Sequence, residues 1–363
     1  MKTSVIFLSI VGLLLTGWQS RCSAKDSKKE RGPDMKSSQQ SVSVNHEWGT
    51  LKEVVVGRGE DMVLPSYCDA VSFIYDPKYI EMMKKDGGKP VSEVEPESAK
   101  MVVEQINGLA KALEKRGVIV HRPRRLTHPA EKGYLADVQK GSFFLMARDP
   151  ILVIGNNVIE TAIKIPFRAK ERYAIRPIIR ERIKGTGTKH VAVPAVSPAF
   201  REDGIYLEGG DVMLNGYEIY VGNSGRGSNK AGIEWLQNYL GPEYKVREIK
   251  LNPEFEHLDC VLALLRPGLG LICRKGILSE LPESLRNWDF VEVSVDEAKK
   301  LGANCLVLDD KTVIMAEHQH RIAEALRKKG HNVIEIPYDQ VVTWGGGFRC
   351  SHHPLRRESK LER

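Results

Sequence analysis

Near the C-terminus the chain reads Trp344-Gly345-Gly346-Gly347-Phe348-Arg349-Cys350-Ser351-His352-His353. Three consecutive glycines allow the backbone to adopt positive φ and to approach a neighbouring group closely. The cysteine three residues later can therefore lie at a sharp, crowded bend, which is how a chain presents a nucleophile. Because a lone cysteine is more often a small buried apolar residue, this interpretation of Cys350 requires partners elsewhere in the sequence.

Two other stretches supply the partners that a reactive thiol needs. Glu256-His257-Leu258-Asp259 places a histidine and a carboxylate two residues apart, and Tyr206-Leu207-Glu208-Gly209-Gly210-Asp211 places two carboxylates around a glycine pair. A nucleophilic cysteine requires a base or a cation to hold it as thiolate, and the base requires an orienting group. A single buried carboxylate is usually part of a structural pair, but these residues together with the glycine-flanked cysteine favour an active site.

A hairpin followed by a helix and a short strand recurs along the chain. The hairpins are expected over residues 151–162, 205–221, 260–273 and 305–315, the helices that follow them over 168–184, 230–240 and 317–329, and the third strands over 190–193, 245–251 and 332–336. Asn215-Gly216 is a strong hairpin signal, and an earlier strand is expected at residues 51–57. Recurrence of one supersecondary unit predicts a radial array about a central axis, with the charged residues at strand ends near that axis.

The ends of the chain differ in composition from the rest. Residues 1–24 are typical of an export signal, with Lys2 before an apolar run and small residues at the cleavage site. Residues 25–43 are expected to be a flexible polar tether, residues 44–358 a single catalytic domain, and residues 359–363 a tail. We therefore expect a periplasmic or extracellular protein. A lipid anchor at Cys22 is disfavoured, because Arg21 is a poor match to the small residue that precedes such cysteines.

Composition and cysteine spacing exclude several classes of function. The formal net charge is +7, but the basic residues are scattered among acids, so we expect no nucleic-acid partner. The N-terminal apolar run is too short for a stable membrane span. Without the signal, the cysteines form an odd set with no zinc-type spacing, so at least one thiol should be free. Adjacent histidines cannot easily bind one ion together, so we expect His352 and His353 to line the site's rim or face solvent.

Several stretches in order resemble the guanidino-group-modifying enzymes, or pentein superfamily, and most closely its amidinotransferase family. The matching stretches are residues 44–48, 51–58, 146–149, 155–160, 232–236, 257–259 and 345–350. The resemblance spans nearly the whole chain after the tether. It implies an α/β fold, the five-bladed α/β propeller of repeated ββαβ units around a pseudo-fivefold axis, which agrees with the repeat read from the sequence.

The resemblance also implies roles for individual residues. It makes Cys350 the nucleophile, His257 the general acid and base, and Glu208 the carboxylate that orients the histidine or contacts the guanidinium. Asp149 and Asp259 match the carboxylates that clamp the guanidinium, a planar cation that paired carboxylate oxygens bind well.

Asp211 and Arg349 are also expected among the substrate-binding residues. The implied chemistry needs no metal and no organic cofactor. The expected partners are a small guanidino substrate and an amine acceptor, and a homodimer is possible.

Three functions remain open from the sequence. The first is transfer of the amidino group of arginine, or of a related donor, to an amine through an amidino-cysteine intermediate. The second is hydrolysis of arginine to citrulline and ammonia, because Glu208-Gly209-Gly210-Asp211 is the pattern of the hydrolytic relatives. The third is a secreted binding protein without activity. Residues 155–160 and 232–236 are transferase-like, so we rank transfer first.

Overall fold

Five three-stranded sheets build the fold in the computed structural model, which describes residues 40–71, 77–134, 141, 143–197 and 201–359. The strands are β1 (Thr50–Val56), β2 (Ile119–His121), β3 (Ile151–Ile154), β4 (Asn157–Glu160), β5 (Lys189–Ala192), β6 (Val212–Asn215), β7 (Glu218–Asn223), β8 (Lys245–Lys250), β9 (Leu262–Arg266), β10 (Leu269–Ile272), β11 (Asp289–Glu292), β12 (Leu306–Asp309), β13 (Thr312–Ala316), β14 (Asn332–Ile336) and β15 (His352–Glu358). The helices are α1 (Pro77–Asp86), α2 (Val91–Val94), α3 (Pro96–Glu114), α4 (Pro129–Tyr134), α5 (Glu171–Ile183), α6 (Lys230–Leu240), α7 (Glu283–Arg286), α8 (Val295–Lys299), α9 (His320–Lys328) and α10 (Asp339–Thr343).

All five sheets have the same strand order. The first two strands pair antiparallel, and the second strand pairs in parallel with a third that follows a helical connection. Parallel pairing requires such a crossover, whereas the antiparallel pair needs only a tight turn. The turn between β6 and β7 contains Gly216 with φ of +67°, as the Asn215-Gly216 signal predicts. The predicted ββαβ repeat and the five-bladed α/β fold are confirmed.

The fifth sheet joins the two ends of the described chain. β15 pairs antiparallel with β1, and β1 pairs in parallel with β2. The sequence indicated β1 but no strand after Cys350, because strands some 300 residues apart leave no local hairpin signal. α7 and β11 of the third unit, which contains β9 and β10, were also missed, since a four-residue helix carries almost no periodicity.

The N-terminal boundary of the fold lies slightly earlier than predicted. Val42 is fully buried, and the N–H of Ser43 donates to the carbonyl of Leu355 at 3.0 Å, although both residues were assigned to the tether. The proposed signal peptide, Cys22 and most of the tether lie outside the described residues, as do residues 360–363, so those assignments remain predictions. Within the described residues, no helix is both long and apolar enough to cross a membrane.

A buried group of charged residues lies behind the loop that carries Cys350. Glu47, Arg148, Arg349 and Arg357 are all at least nine-tenths buried and line one small cavity together with His352.

The expectation that the adjacent histidines, His352 and His353, face solvent or the site's rim is wrong. His352 and His353 are buried on β15, where His353 Nε2 accepts the N–H of Val153 at 3.1 Å. Burial and the nearby arginines lower the pKa of both histidines well below its ordinary value, so both are neutral.

Candidate active site

Each of the five units contributes to one site from the same structural position, the few residues before its first strand. These residues are Asp149 before β3, Glu208 and Asp211 before β6, His257 and Asp259 before β9, Asn304 before β12, and Cys350 before β15. All are buried. Because equivalent positions of a radial repeat lie around a common axis, residues far apart in the sequence meet at one end of the fold.

The three glycines before the cysteine each satisfy a steric requirement. Gly345 has φ of +87° and ends α10, a conformation that strongly favours glycine. A Cβ at Gly346 would lie 2.0 Å from Met146 Sδ, and one at Gly347 would lie 2.4 Å from Asn304 Oδ1. The glycine backbone therefore does approach neighbouring side chains closely, as the sequence predicted. This close approach places Cys350 next to Asn304.

Two residues contact the sulfur of Cys350 directly. Asn304 Nδ2 donates to Sγ at 3.1 Å, and Asp259 Oδ2 lies 3.8 Å from Sγ. Burial, with the negative charges of Asp259 and Asp149, raises the pKa of the thiol well above its ordinary value, while His257 acts in the opposite direction. Without a bound cation the thiol is therefore the favoured form, and a positive charge placed near the carboxylates would favour thiolate.

His257 is held between two carboxylates. Its Nε2 lies 2.9 Å from Glu208 Oε2, and its Nδ1 lies 3.9 Å from Asp149 Oδ1. Gly210 packs so closely on the ring that a Cβ there would lie 2.6 Å from Nδ1. Burial by itself would lower the pKa of His257, but the surrounding carboxylates outweigh burial and raise it well above its ordinary value. Imidazolium, a proton donor, is therefore the favoured form.

Asp149 belongs to a buried chain of charges. Its Oδ1 accepts the N–H of Gly210 at 2.8 Å, and its Oδ2 pairs with Arg168 at 2.9 Å. Arg168 in turn donates to both carboxylate oxygens of Glu171, at 2.8 and 2.9 Å. Burial raises the pKa of Asp149, but His257 and Arg168 outweigh burial and lower it, so this carboxylate is ionised and fixed in orientation.

Asp211 ties two loops of the site together. Its Oδ2 accepts the N–H of Ser228 at 2.9 Å, and its Oδ1 accepts the N–H of Leu258 at 3.1 Å. Burial raises the pKa of Asp211 to about 7. With both oxygens engaged by backbone, Asp211 fits a positioning role for the loop that carries His257 better than the predicted substrate contact.

The guanidinium of Arg349 is fully engaged within the protein. It donates to Glu47 at 3.1 and 3.2 Å, to Asp259 Oδ2 at 3.2 Å and to the carbonyl of Val212 at 2.7 Å. Glu47 and Asp259 raise the pKa of Arg349 against the effect of burial. The predicted substrate contact is therefore wrong in geometry, because no N–H faces an open site. Arg349 orients Asp259 instead.

The same carboxylates raise the question of a metal ion. Donor atoms of Asp149, Glu208 and His257 lie within 4.8 Å of one another. Asp149 is already paired with Arg168, and Glu208 with the imidazole. A metal ligand must be a neutral imidazole, whereas this setting favours imidazolium. The contacts of these three residues therefore fit proton transfer and substrate positioning better than metal binding.

Two contributors to the site were not singled out from the sequence. Asn304 precedes a strand without any motif around it, and Arg168 lies in a 3₁₀ turn (Pro166–Lys170) that was assigned to a helix. Only their tertiary partners identify them.

The cysteines at 68, 260, 273, 305 and 350 are all unpaired, which confirms the expected free thiol.

The chain is similar to a known protein family and to several named proteins. Residues 89–357 match the family model described as N,N dimethylarginine dimethylhydrolase, eukaryotic. The mitochondrial glycine amidinotransferase of Xenopus laevis is 27% identical, with 99% of this chain and 94% of that protein covered. The L-arginine:L-lysine amidinotransferase of Pseudomonas savastanoi pv. phaseolicola is 25% identical, covering 87% and 94%. The solved structure of an amidinotransferase of saxitoxin biosynthesis from Microseira wollei superposes with a TM-score of 0.74 at 26% identity, covering 89% of this chain and 99% of that one.

A five-unit fold with cysteine, histidine and carboxylates meeting at one end defines the guanidino-group-modifying class of enzymes. The chain belongs to this class, the pentein superfamily, and within it to the amidinotransferase family. The hydrolytic branch shares the fold: a dimethylarginine dimethylaminohydrolase superposes with a TM-score of 0.58 at 19% identity.

Proposed function

We propose that the protein transfers the amidino group of arginine, or of a related guanidino donor, to an amine acceptor through an amidino-cysteine on Cys350. The observation that carries this proposal is the contact of Cys350 Sγ with Asp259, 3.8 Å away, in a site whose imidazolium is held by Glu208. The names of the relatives, which include arginine:lysine and glycine amidinotransferases, support the substrate class.

Substrate binding itself activates the nucleophile. A guanidinium between Asp149 and Asp259 neutralises the two charges that, after burial, most raise the pKa of the Cys350 thiol. The pKa of the thiol then falls, its proton is released to solvent, and the thiolate forms next to the guanidinium carbon. The enzyme therefore keeps its cysteine protonated until a cationic substrate arrives.

His257 supplies the proton for the leaving group. The thiolate bonds to the guanidinium carbon, and the imidazolium protonates the departing amine as its bond to that carbon breaks. Glu208 holds the ring in the orientation for this transfer. The products are a free amine, a neutral imidazole and a positively charged amidino-cysteine, which an incoming amine attacks in the reverse sense.

Hydrolysis is the second candidate, and two observations favour it. Glu208-Gly209-Gly210-Asp211 is the hydrolase-type pattern, and the matched family model describes a hydrolase. In that reaction water attacks the amidino-cysteine instead of an amine. The fold and the residues described above serve both outcomes.

The deciding experiment follows the label of guanidino-¹³C-arginine by mass spectrometry, with and without glycine, lysine or diamines. Ornithine with a labelled new guanidino compound is the expected result, whereas citrulline with ammonia establishes hydrolysis. Cys350→Ala should abolish either reaction, and Cys68→Ala, which removes a thiol outside the site, should retain it. Binding of arginine without any turnover would leave only the binding-protein function.

Two further proposals rest on sequence alone. From the composition of residues 1–24 we infer export, which N-terminal sequencing of the mature protein tests. A homodimer is the second, and sedimentation of the purified protein decides it. Neither proposal affects the chemistry assigned to the site.

A further inference from the structure

Amidino transfer between two amines releases one proton more than His257 can accept in the site described above. In the donor half, His257 gives one proton and the amine leaves in neutral form. In the acceptor half, the incoming amine arrives as an ammonium with three protons, and the guanidinium product keeps one of them on that nitrogen. His257 takes back one proton, and Cys350 stays a thiolate while the guanidinium product is bound, so a second group must hold the other proton until the product leaves.

Glu256 is the unassigned carboxylate beside the acid-base histidine. It directly precedes His257, and its backbone carbonyl is fixed by the hydroxyl of Ser224 at 2.6 Å. The residue is partly buried, yet Oε1 is closed off from solvent and has no hydrogen-bond partner. A buried carboxylate oxygen without a partner is costly, and a cationic or proton-donating ligand would relieve that cost.

The other carboxylates near His257 are already engaged. Glu208 accepts from the imidazole and from the N–H of Lys164, and Asp149 pairs with Arg168 and Gly210. Asp211 accepts two backbone N–H groups, Asp259 pairs with Arg349, and both oxygens of Glu171 pair with Arg168. Glu256 alone among these six described carboxylates has a buried oxygen that receives no hydrogen bond.

We propose that Glu256 receives the incoming amine as its ammonium and takes the proton that His257 cannot hold, an inference that rests on the proposed amidino transfer. The electrostatic setting supports this role. Burial, with Glu208 and Asp149, raises the pKa of Glu256 to about 7, against the effects of His257 and Arg168. A carboxyl group of this kind exchanges a proton near neutral pH, which a general base requires.

The step balances in atoms and charge. The amidino-cysteine cation, an ammonium R–NH₃⁺, neutral His257 and ionised Glu256 combine. The nitrogen bonds to the amidino carbon, the carbon–sulfur bond breaks, and its electron pair returns to Cys350 as thiolate. One proton goes to His257 and one to Glu256, and the product is a substituted guanidinium. When the guanidinium product leaves, the pKa of Cys350 rises again and Glu256 passes its proton to the thiolate, which restores the resting thiol.

The test compares wild type with Glu256→Gln and with Glu254→Gln. Glu254 is an exposed carboxylate two residues away that pairs with Lys299 at 2.8 Å, so its variant makes the same chemical change outside the site. At neutral pH, kcat/KM for the acceptor should fall at least about tenfold in Glu256→Gln only. The defect should shrink as the pH rises towards the pKa of the acceptor, because more acceptor then arrives as neutral amine.

The donor half provides the control. Ornithine released in the first turnover with arginine alone should remain within about twofold of wild type, because His257 alone serves as acid in that half. An equal loss in both halves, or a loss independent of pH, would mean that Glu256 acts through His257 and would overturn the inference. If wild type transfers to no amine, the proposed function fails as well.

Discussion

Asn304 Nδ2 donates a hydrogen bond to Sγ of Cys350 at 3.1 Å, while Oδ1 of the same side chain accepts the backbone N–H groups of Arg349 and Cys350 at 2.8 and 3.1 Å. One amide therefore fixes both the loop and the sulfur. Since the accepted N–H groups set which end of the amide faces the sulfur, the donor points at the position where the thiolate charge develops.

Asn304→Ala should slow turnover by roughly 10- to 100-fold, because a hydrogen bond to a charged group contributes about 1.5–3 kcal/mol. Loss of the donor should also raise the pKa of the thiol, so alkylation of Cys350 by iodoacetamide should be slower at neutral pH. Asn332→Ala, an exposed change on β14, is the control. Unchanged alkylation in Asn304→Ala would contradict the assigned contact.

Asp259→Asn should have opposite effects on alkylation and catalysis. The charge of Asp259 raises the pKa of the Cys350 thiol, so its removal should speed alkylation by iodoacetamide near neutral pH. Turnover of arginine should nevertheless fall, because the guanidinium loses a carboxylate. Alkylation rates and steady-state kinetics on one preparation test both expectations, and a parallel loss of the two would indicate misfolding instead.

Glu208→Gln should lower the pKa of His257, since the carboxylate stabilises the imidazolium. A histidine whose folded pKa is raised adds stability that is fully present below its unfolded value of about 6.5 and is lost as pH rises through the folded value. In the variant, ¹⁵N NMR should detect deprotonation of His257 at a lower pH. The turnover rate should fall by about 100-fold or more. The alkaline limb of its pH profile should also move to lower pH. An unshifted titration would refute the pairing.

Arg168→Met should lower the free energy of unfolding by about 3–5 kcal/mol, because it leaves Asp149 and Glu171 buried without their cation. Arg168→Met with Glu171→Leu should recover part of that loss, since one uncompensated charge is removed with its partner. Urea denaturation of the two variants at neutral pH measures the difference. Activity should remain low in both, because Asp149 is no longer held.

Asp149 also makes part of the stability depend on pH. His257 and Arg168 lower its folded pKa, so its contribution is present above its unfolded value of about 3.9 and is lost as pH falls through the folded value. Asp149→Asn should therefore reduce the stability difference between neutral and strongly acidic pH. A series of urea denaturations from about pH 7 to about pH 3 tests this sign. The gap between the wild-type and variant curves should narrow towards the acidic end.

By itself, the sequence determined the repeat and the fold class, and it singled out the candidate catalytic residues. Hairpin turns and helix ends are local, so Asn215-Gly216 and the helix at residues 230–240 could be located without a structure. Cys350, His257 and Glu208 could be singled out because each belongs to a short motif. Only the tertiary structure decided what those motifs contact.

Partners separated by hundreds of residues leave no local pattern. For that reason β15 was missed, Arg349 was assigned to the substrate although its partners are Glu47 and Asp259, and His352 was placed at the surface although it is buried. Asn304 and Glu256 belong to no motif. Only the arrangement of the five units around a common axis brings Asn304 to the sulfur of Cys350. The free energy of a buried charge depends on its neighbours in space, and those neighbours come from all five units of the fold.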